Sequence, residues 1–190
     1  MTGVQTCALP IWHLTNLRTL VVAQCPSLTS LSLSIKHLTA LKNLQIVDCE
    51  ELNLMEMEGE DNQDLKLSLQ KLIIIGLPKL EVLPQWLQGS ANTLQLLVIG
   101  ECENLKALPE WLLRLKSLYT LGIVKCPKLS SLLEGMEALI ALRLLSIRGC
   151  PDLSRKCRKE DSHKIVHVPQ IYLDGTRFAV EKKMASASTS

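Results

Sequence analysis

Apolar residues recur along the chain as the frame Leu-x-x-Leu-x-Ile/Val-x-x-Cys/Leu-x-x-Leu, beginning at Leu17, Leu41, Leu69, Leu94, Leu118 and Leu142. Successive frames start 24, 28, 25, 24 and 24 residues apart, within the roughly 20–29-residue window of leucine-rich solenoids. Each Leu-x-Ile segment alternates with period two, as in a strand buried on one face. Leu20 and Val22, or Leu97 and Ile99, are expected to turn inward and their neighbours outward. The Cys or Leu three places later turns the chain inward, and the following x-x-Leu-x-x-Leu returns along the other side as irregular or 3-10 structure. No frame can bury its own leucines, so the stack is the folding unit. The expected architecture is an α/β-type solenoid, a leucine-rich-repeat arc. Short parallel β-strands line its concave face, and irregular, 3-10 and short helical segments line its convex face. Six strands at ~4.8 Å spacing would span about 24 Å.

This pattern divides the chain into repeats over residues 12–153, a C-terminal cap over 154–175 and a flexible tail over 176–190. Residues 1–11 stand apart, because Thr2 to Ile11 reads TGVQTCALPI and resembles the translation of a common sequencing-library adapter. The long interval after the second frame coincides with Glu50, Glu51, Glu56, Glu58, Glu60, Asp61 and Asp64, with no intervening Lys or Arg before Asp64. Their spacing does not match an EF-hand, and the stretch reads as a solvated loop rather than a calcium or basic-partner site. Leu-Pro-Gln-Trp-Leu at 83–87 and Leu-Pro-Glu-Trp-Leu at 108–112 put Trp86 and Trp111 at equivalent places on the back of the arc, as packing residues.

Composition narrows the function. The chain is 47% hydrophobic but 3% aromatic, and Leu makes up about one residue in five, so the core is aliphatic and repetitive. With 21% charged residues and a net charge of +2, neither a membrane span nor a nucleic-acid partner is indicated. No secretory signal and no N-glycosylation acceptor is present, which favours a cytoplasmic location. Five of the seven cysteines, Cys25, Cys49, Cys102, Cys126 and Cys150, share one repeat position and read as reduced, unreactive packing thiols. Burial is expected to raise their pKa, while Cys157, in the basic segment after the last frame, is expected to be the most reactive native thiol. Cys150, Cys157, His163 and His167 could be read as a zinc set, but Cys150 belongs to the repeat interior and no Cys-x-x-Cys pair exists.

No phosphate loop, dinucleotide fingerprint, nucleophile elbow or HExxH motif occurs, so no enzyme activity and no cofactor is expected. A rigid repeat surface is ordinarily used for binding. The outward positions around the frames carry six basic and two acidic residues, giving a mildly basic concave face. At its centre Ile73, Ile75, Leu96, Val98 and Val124 are expected to be exposed, with Tyr119 adding a ring and Lys71, Lys125 and Arg148 a charged margin. An apolar centre inside a charged rim is the composition of a binding hot spot, and these nine residues form the candidate protein-binding site.

The unit Cys-x-x-Leu-x-x-Leu-Pro-x-Trp-Leu-x-x-Leu-x-x-Leu at Cys102–Leu118, the Cys-Pro-x-Leu turns at Cys25, Cys126 and Cys150, and the ending HKIVHVPQIYLDG at His163–Gly175 carry a resemblance. They resemble the C-terminal repeats of plant nucleotide-binding, leucine-rich-repeat disease resistance proteins of the coiled-coil class, over residues 12–175. The resemblance implies a recognition module that senses a pathogen effector or a guarded host protein. It also implies that the repeats restrain a nucleotide-binding switch domain, which this sequence does not contain. The alternative is a general leucine-rich-repeat scaffold or the substrate-binding arm of a ubiquitin ligase.

Overall fold

The computed structural model describes residues 15–31, 38–57 and 67–179. The 1–11 segment and the acidic residues from Glu58 to Asp64 therefore lie outside the described residues. Eight strands form one sheet in chain order: β1 Thr19–Ala23, β2 Asn43–Val47, β3 Lys71–Ile75, β4 Leu96–Gly100, β5 Thr120–Val124, β6 Leu144–Arg148, β7 Gln170–Leu173 and β8 Thr176–Phe178. The first seven are parallel, and β8 turns back antiparallel on β7. The result is the expected leucine-rich-repeat arc.

Frame and register coincide. Leu20, Leu44, Leu72, Leu97, Leu121 and Leu145 stand side by side across the sheet, as do Val22, Ile46, Ile74, Ile99, Ile123 and Ile147. From β2 to β6 these inward residues are buried. In β1 they are only half-buried, since its outer side has no neighbouring rung among the described residues.

After each strand one residue adopts left-handed backbone: Gln24, Asp48, Gly76, Glu101, Lys125, Gly149 and Asp174, with φ between 50° and 67°. This bend ends the strand and turns the next residues into the core. In five consecutive rungs its N–H donates to the last carbonyl of the following strand, from Gln24 to Val47 O at 2.8 Å through Lys125 to Arg148 O at 2.7 Å. The next residue is the Cys or Leu of the frame. Each cysteine Sγ donates to the carbonyl two residues back, at 3.2–3.5 Å, which satisfies a weak donor inside an aliphatic core.

The return segments are 3-10 turns at Leu54–Met57, Gln85–Ser90, Glu110–Arg114 and Met136–Ala138. Pro84 and Pro109 hold extended backbone directly before two of them, so the turns start in equivalent places. The two tryptophans are nevertheless used differently. Trp86 is buried and its indole N–H donates to Leu54 O at 3.2 Å, whereas Trp111 is half-buried and packs against the core. A displaced carbonyl in the irregular second rung is thus satisfied from the third.

At the C-terminus, α1 (Pro151–Arg158) starts on a proline whose fixed φ suits the first helical turn, with Asp152 in that turn and basic residues in the last. It buries Leu153 and Cys157 against the last rung. A short α2 (Ser162–Ile165) follows, and its Lys164 is buried. The ammonium reaches Glu134 at 2.7 Å, Asp161 at 2.8 Å and the Leu132 carbonyl at 3.2 Å, tying the cap to the preceding turn. The chain then supplies β7, so the segment read as a cap adds a seventh parallel strand, and Thr176–Phe178 of the segment read as a tail adds the eighth. The signal for β7 was present: Val168, Ile171 and Leu173 repeat the Leu-x-x-Leu-x-Ile frame with aliphatic substitutes.

Candidate functional site on the concave face

Because successive strands are in register, outward residues line up in rows that cross the sheet. One row is Lys71, Leu96, Thr120 and Leu144. The middle row runs from Gln45 through Ile73, Val98, Gly122 and Ser146 to Tyr172. The third holds Ile75, Gly100, Val124 and Arg148. Seven of the nine candidate residues therefore share three adjacent rows. Tyr119 lies one residue ahead of β5, in a marginal row of Arg18, Lys42, Gln70, Gln95, Tyr119 and Arg143 linked by backbone hydrogen bonds. Lys125 occupies the left-handed turn, where it pairs with Glu101 at 2.7 Å.

The apolar centre is lower than the alternation alone implies. Ile73, Ile75, Leu96, Val98 and Val124 are half-buried rather than fully exposed. Two glycines explain this. A Cβ built on Gly122 would lie 3.3 Å from Val98 Cγ2, and one on Gly100 would lie 3.4 Å from Ile75 Cγ1. The branched side chains therefore lean over a floor without side chains and cover one another. The large apolar side chains that do stand out on this side are Val21, 54% exposed, and Tyr119, 56% exposed. Tyr172 and Arg177, which face each other across β7 and β8, extend the surface into the segments expected to form the cap and tail.

The flank lysines are matched by acceptors on the neighbouring rung. Lys79 pairs with Glu51 and Lys106 with Glu81, both at 2.6 Å, and Lys128 donates to Asn104. Each contact joins one rung to the next. A polar groove of about 590 Å³ lies along this flank, lined by Glu50, Asn53 and Pro78 among others, and its Lys79, Glu51 and Glu81 are already committed to these pairs.

The thiols correct two expectations. Cys157 is fully buried on the inner side of α1, and burial first, then the Asp161 carboxylate, push its pKa up to about 12, so the basic neighbours do not activate it. Cys102 is held below its ordinary value by the Cys126 thiol, against the effect of burial, while Cys126 is pushed up to about 11 by the same contact and Cys150 is raised as well. The most accessible described cysteine is Cys25, in the half-covered first rung. In the cap, His163 is exposed with Nδ1 2.8 Å from Glu160 O, and His167 lies with both ring nitrogens buried and unpartnered among the described residues. Among the described residues no three His, Cys, Asp or Glu side chains come together as a metal set, and no helix is long and apolar enough to cross a membrane.

A comparison with curated proteins gives no significant match. The family model for the leucine-rich repeats of RPS2-like plant disease resistance proteins matches residues 4–110, more than half of the chain, starting within the 1–11 segment. With the in-register arc, its cysteine-turn rungs and its continuous outward face, this match shows that the chain belongs to the RPS2-like leucine-rich-repeat family of plant disease resistance proteins.

Proposed function

We propose that this module is the effector-sensing and autoinhibitory repeat region of a cytoplasmic plant immune receptor of the coiled-coil class. It binds a pathogen effector or a guarded host protein on its concave face, and it restrains a nucleotide-binding switch domain until that contact is made. Its action is non-catalytic: the arc supplies a rigid surface, and recognition comes from which side chains the rungs present. The observation that carries this reading is the half-buried aliphatic centre of Ile73, Ile75, Val98 and Val124 on the face of a resistance-family repeat. Such a centre, rimmed by polar groups, can be desolvated by a partner at little cost in side-chain entropy.

The test is a binding measurement on the whole chain against a panel of secreted effectors from plant pathogens and a nucleotide-binding switch domain from the same receptor class. Specific binding to one of them, lost on Ile73→Asp with Val98→Asp while the circular dichroism spectrum is retained, is the expected result. Tyr119→Ala provides a second variant that cannot disturb the core. Binding unchanged by all three substitutions would place the interface elsewhere and overturn the reading.

A further inference from the structure

Among the described residues, the arginines and lysines of the rungs fall into two groups by position. On the turns and return segments that follow the strands, the described repeat cations have acceptors: Lys79, Lys106 and Lys125 pair with carboxylates, Arg114 donates to Gln88, Lys116 to the Leu113 and Ala138 carbonyls, and Lys128 to Asn104. On the sheet side the pattern reverses. Arg18, Lys42, Lys71, Arg143, Arg148 and Arg177 have no side-chain partner among the described residues. Arg18, Lys42 and Arg143 lie in the marginal row ahead of the strands, Lys71 beside Leu96, Arg148 beside Val124, and Arg177 opposite Tyr172. No strand, and no residue of that marginal row, carries a carboxylate. The molecule is near neutral overall, so this unmatched positive charge belongs to the face and not to the chain's composition.

The dimensions of the face limit what can lie on it. Five-residue strands at ~3.3 Å per residue give a surface roughly 16 Å wide. A helix of about 10–12 Å diameter fits that width, with Arg18, Lys42 and Arg143 along one side and Arg148 on the other, where the left-handed turns also carry Asp48 and the Lys125–Glu101 pair. Its turn of about 5.4 Å is close to the ~4.8 Å from rung to rung, so aliphatic side chains one turn apart would meet successive rungs. An extended segment crossing the strands would find no free backbone edge on the face, whereas a helix satisfies its own backbone groups. Nucleic acid is disfavoured by the same surface: the centre is aliphatic, and apart from Tyr119 and Tyr172 it offers no ring on which bases could stack.

We propose that the concave face receives an acidic amphipathic helix of a partner protein, lying along the arc with an aliphatic stripe over Ile73, Val98 and Val124 and carboxylates toward the unpaired cations. The inference rests on the concave-face reading above and adds the chemistry of what is bound. Unpaired exposed cations contribute chiefly to encounter rate and selectivity, so binding should be strongly salt-dependent.

The probe is a fluorescein-labelled helical peptide of about 20 residues with Leu on one face and Glu elsewhere, titrated with the 190-residue chain by anisotropy. Comparators are the same peptide with Lys for Glu, a version of equal composition with the leucines scattered, and an oligouridylate of similar length. The expected result is binding of the acidic amphipathic peptide alone, weakening about tenfold as NaCl rises from about 50 to about 300 mM. Lys71→Ser with Arg148→Ser should weaken it about fivefold or more, and Lys106→Ser with Lys128→Ser, an equal change in net charge, less than about twofold. No binding, equal loss in the two double variants, or insensitivity to salt would overturn the proposal. Equal binding of the scattered peptide would remove the helix, and oligouridylate binding lost in the first double variant would replace the partner with nucleic acid. If Ile73→Asp with Val98→Asp abolishes peptide binding and the cation variants do not, the concave interface stands and its acidic partner falls.

Discussion

A cysteine in this chain is governed by its rung and not by its neighbours in sequence. The five repeat thiols sit at one turn position, where a small side chain fits behind the left-handed residue and finds the carbonyl two places back. Alkylation of the native protein followed by peptide mass spectrometry should therefore modify Cys25 first among the described cysteines. Cys126, Cys150 and Cys157 should react only on unfolding, since the thiolate is disfavoured and the sulfur inaccessible. Early labelling of Cys157 would mean that α1 does not seal the last rung. His167 makes a second residue-scale prediction. Burial, only partly opposed by the Glu137 carboxylate, holds its pKa below the ordinary 6.5, so between that value and the lower folded one the unfolded chain binds more protons than the native chain. Stability from this group is present above pH 6.5 and is lost as pH falls through the folded pKa. Thermal melts from pH 7 to pH 5 should show a decline that His167→Leu reduces. An unchanged slope in that variant would mean the imidazole is solvated in the native state.

At the scale of the element, the rung is fixed by one backbone angle. Glycine fills the left-handed position in rungs three and six, and Gln, Asp, Glu or Lys fills it elsewhere at the usual cost of such backbone for a residue with a Cβ. Gly76 is also crowded, because a Cβ there would come within 2.3 Å of Asp48 Oδ1 and 3.2 Å of Asp48 backbone. Gly76→Ala should cost about 1–3 kcal/mol in denaturant unfolding, through strain at φ and displacement of Asp48. A neutral result would show that the turn relaxes to another conformation. Truncation of a strand residue acts through packing instead. Leu121 is fully buried in the middle of the stack, with both neighbouring rungs against it, and Leu121→Ala should cost about 2–5 kcal/mol, well above the same change at Leu20 in the half-covered first strand.

Over the whole molecule, stability is built from contacts between neighbouring rungs, and the two ends are unlike. The C-terminal end is closed by α1, the Lys164 contacts and the reversed strand β8. Asp174 completes that closure: its Oδ1 accepts the Gly149 N–H at 3.0 Å, and Arg158 reaches its Oδ2 at 3.2 Å. The first rung has no such cover among the described residues, and Leu17, Leu20, Val22, Cys25 and Leu28 remain partly exposed. Hydrogen–deuterium exchange should therefore show protection lowest in β1 and rising to β4–β6, with β7 retained by the cap. Uniform protection along the arc would mean that residues before Thr15 shield the first rung or that unfolding is fully cooperative.

The repeating frame by itself determined the arc, because alternation inside Leu-x-Ile and a near-constant spacing between frames leave only one way to bury this much leucine. It likewise determined the shared position of the cysteines and which strand residues face outward. Other features depended on what lies beside each residue in space. The glycine floor beneath Val98 and Ile75 became visible only when rungs four and five were placed next to each other, and it lowers a centre that alternation alone would expose. Cys157 was misread because its basic neighbours in sequence lie on the outer side of a helix whose inner side buries it. Arg177 was missed because the reversal at Asp174–Gly175, not a periodic frame, returns the chain to the sheet. The separation of paired flank cations from unpaired face cations is tertiary as well, since the carboxylate partners of Lys79, Lys106 and Lys125 lie about one repeat away in the chain and adjacent only across the stack.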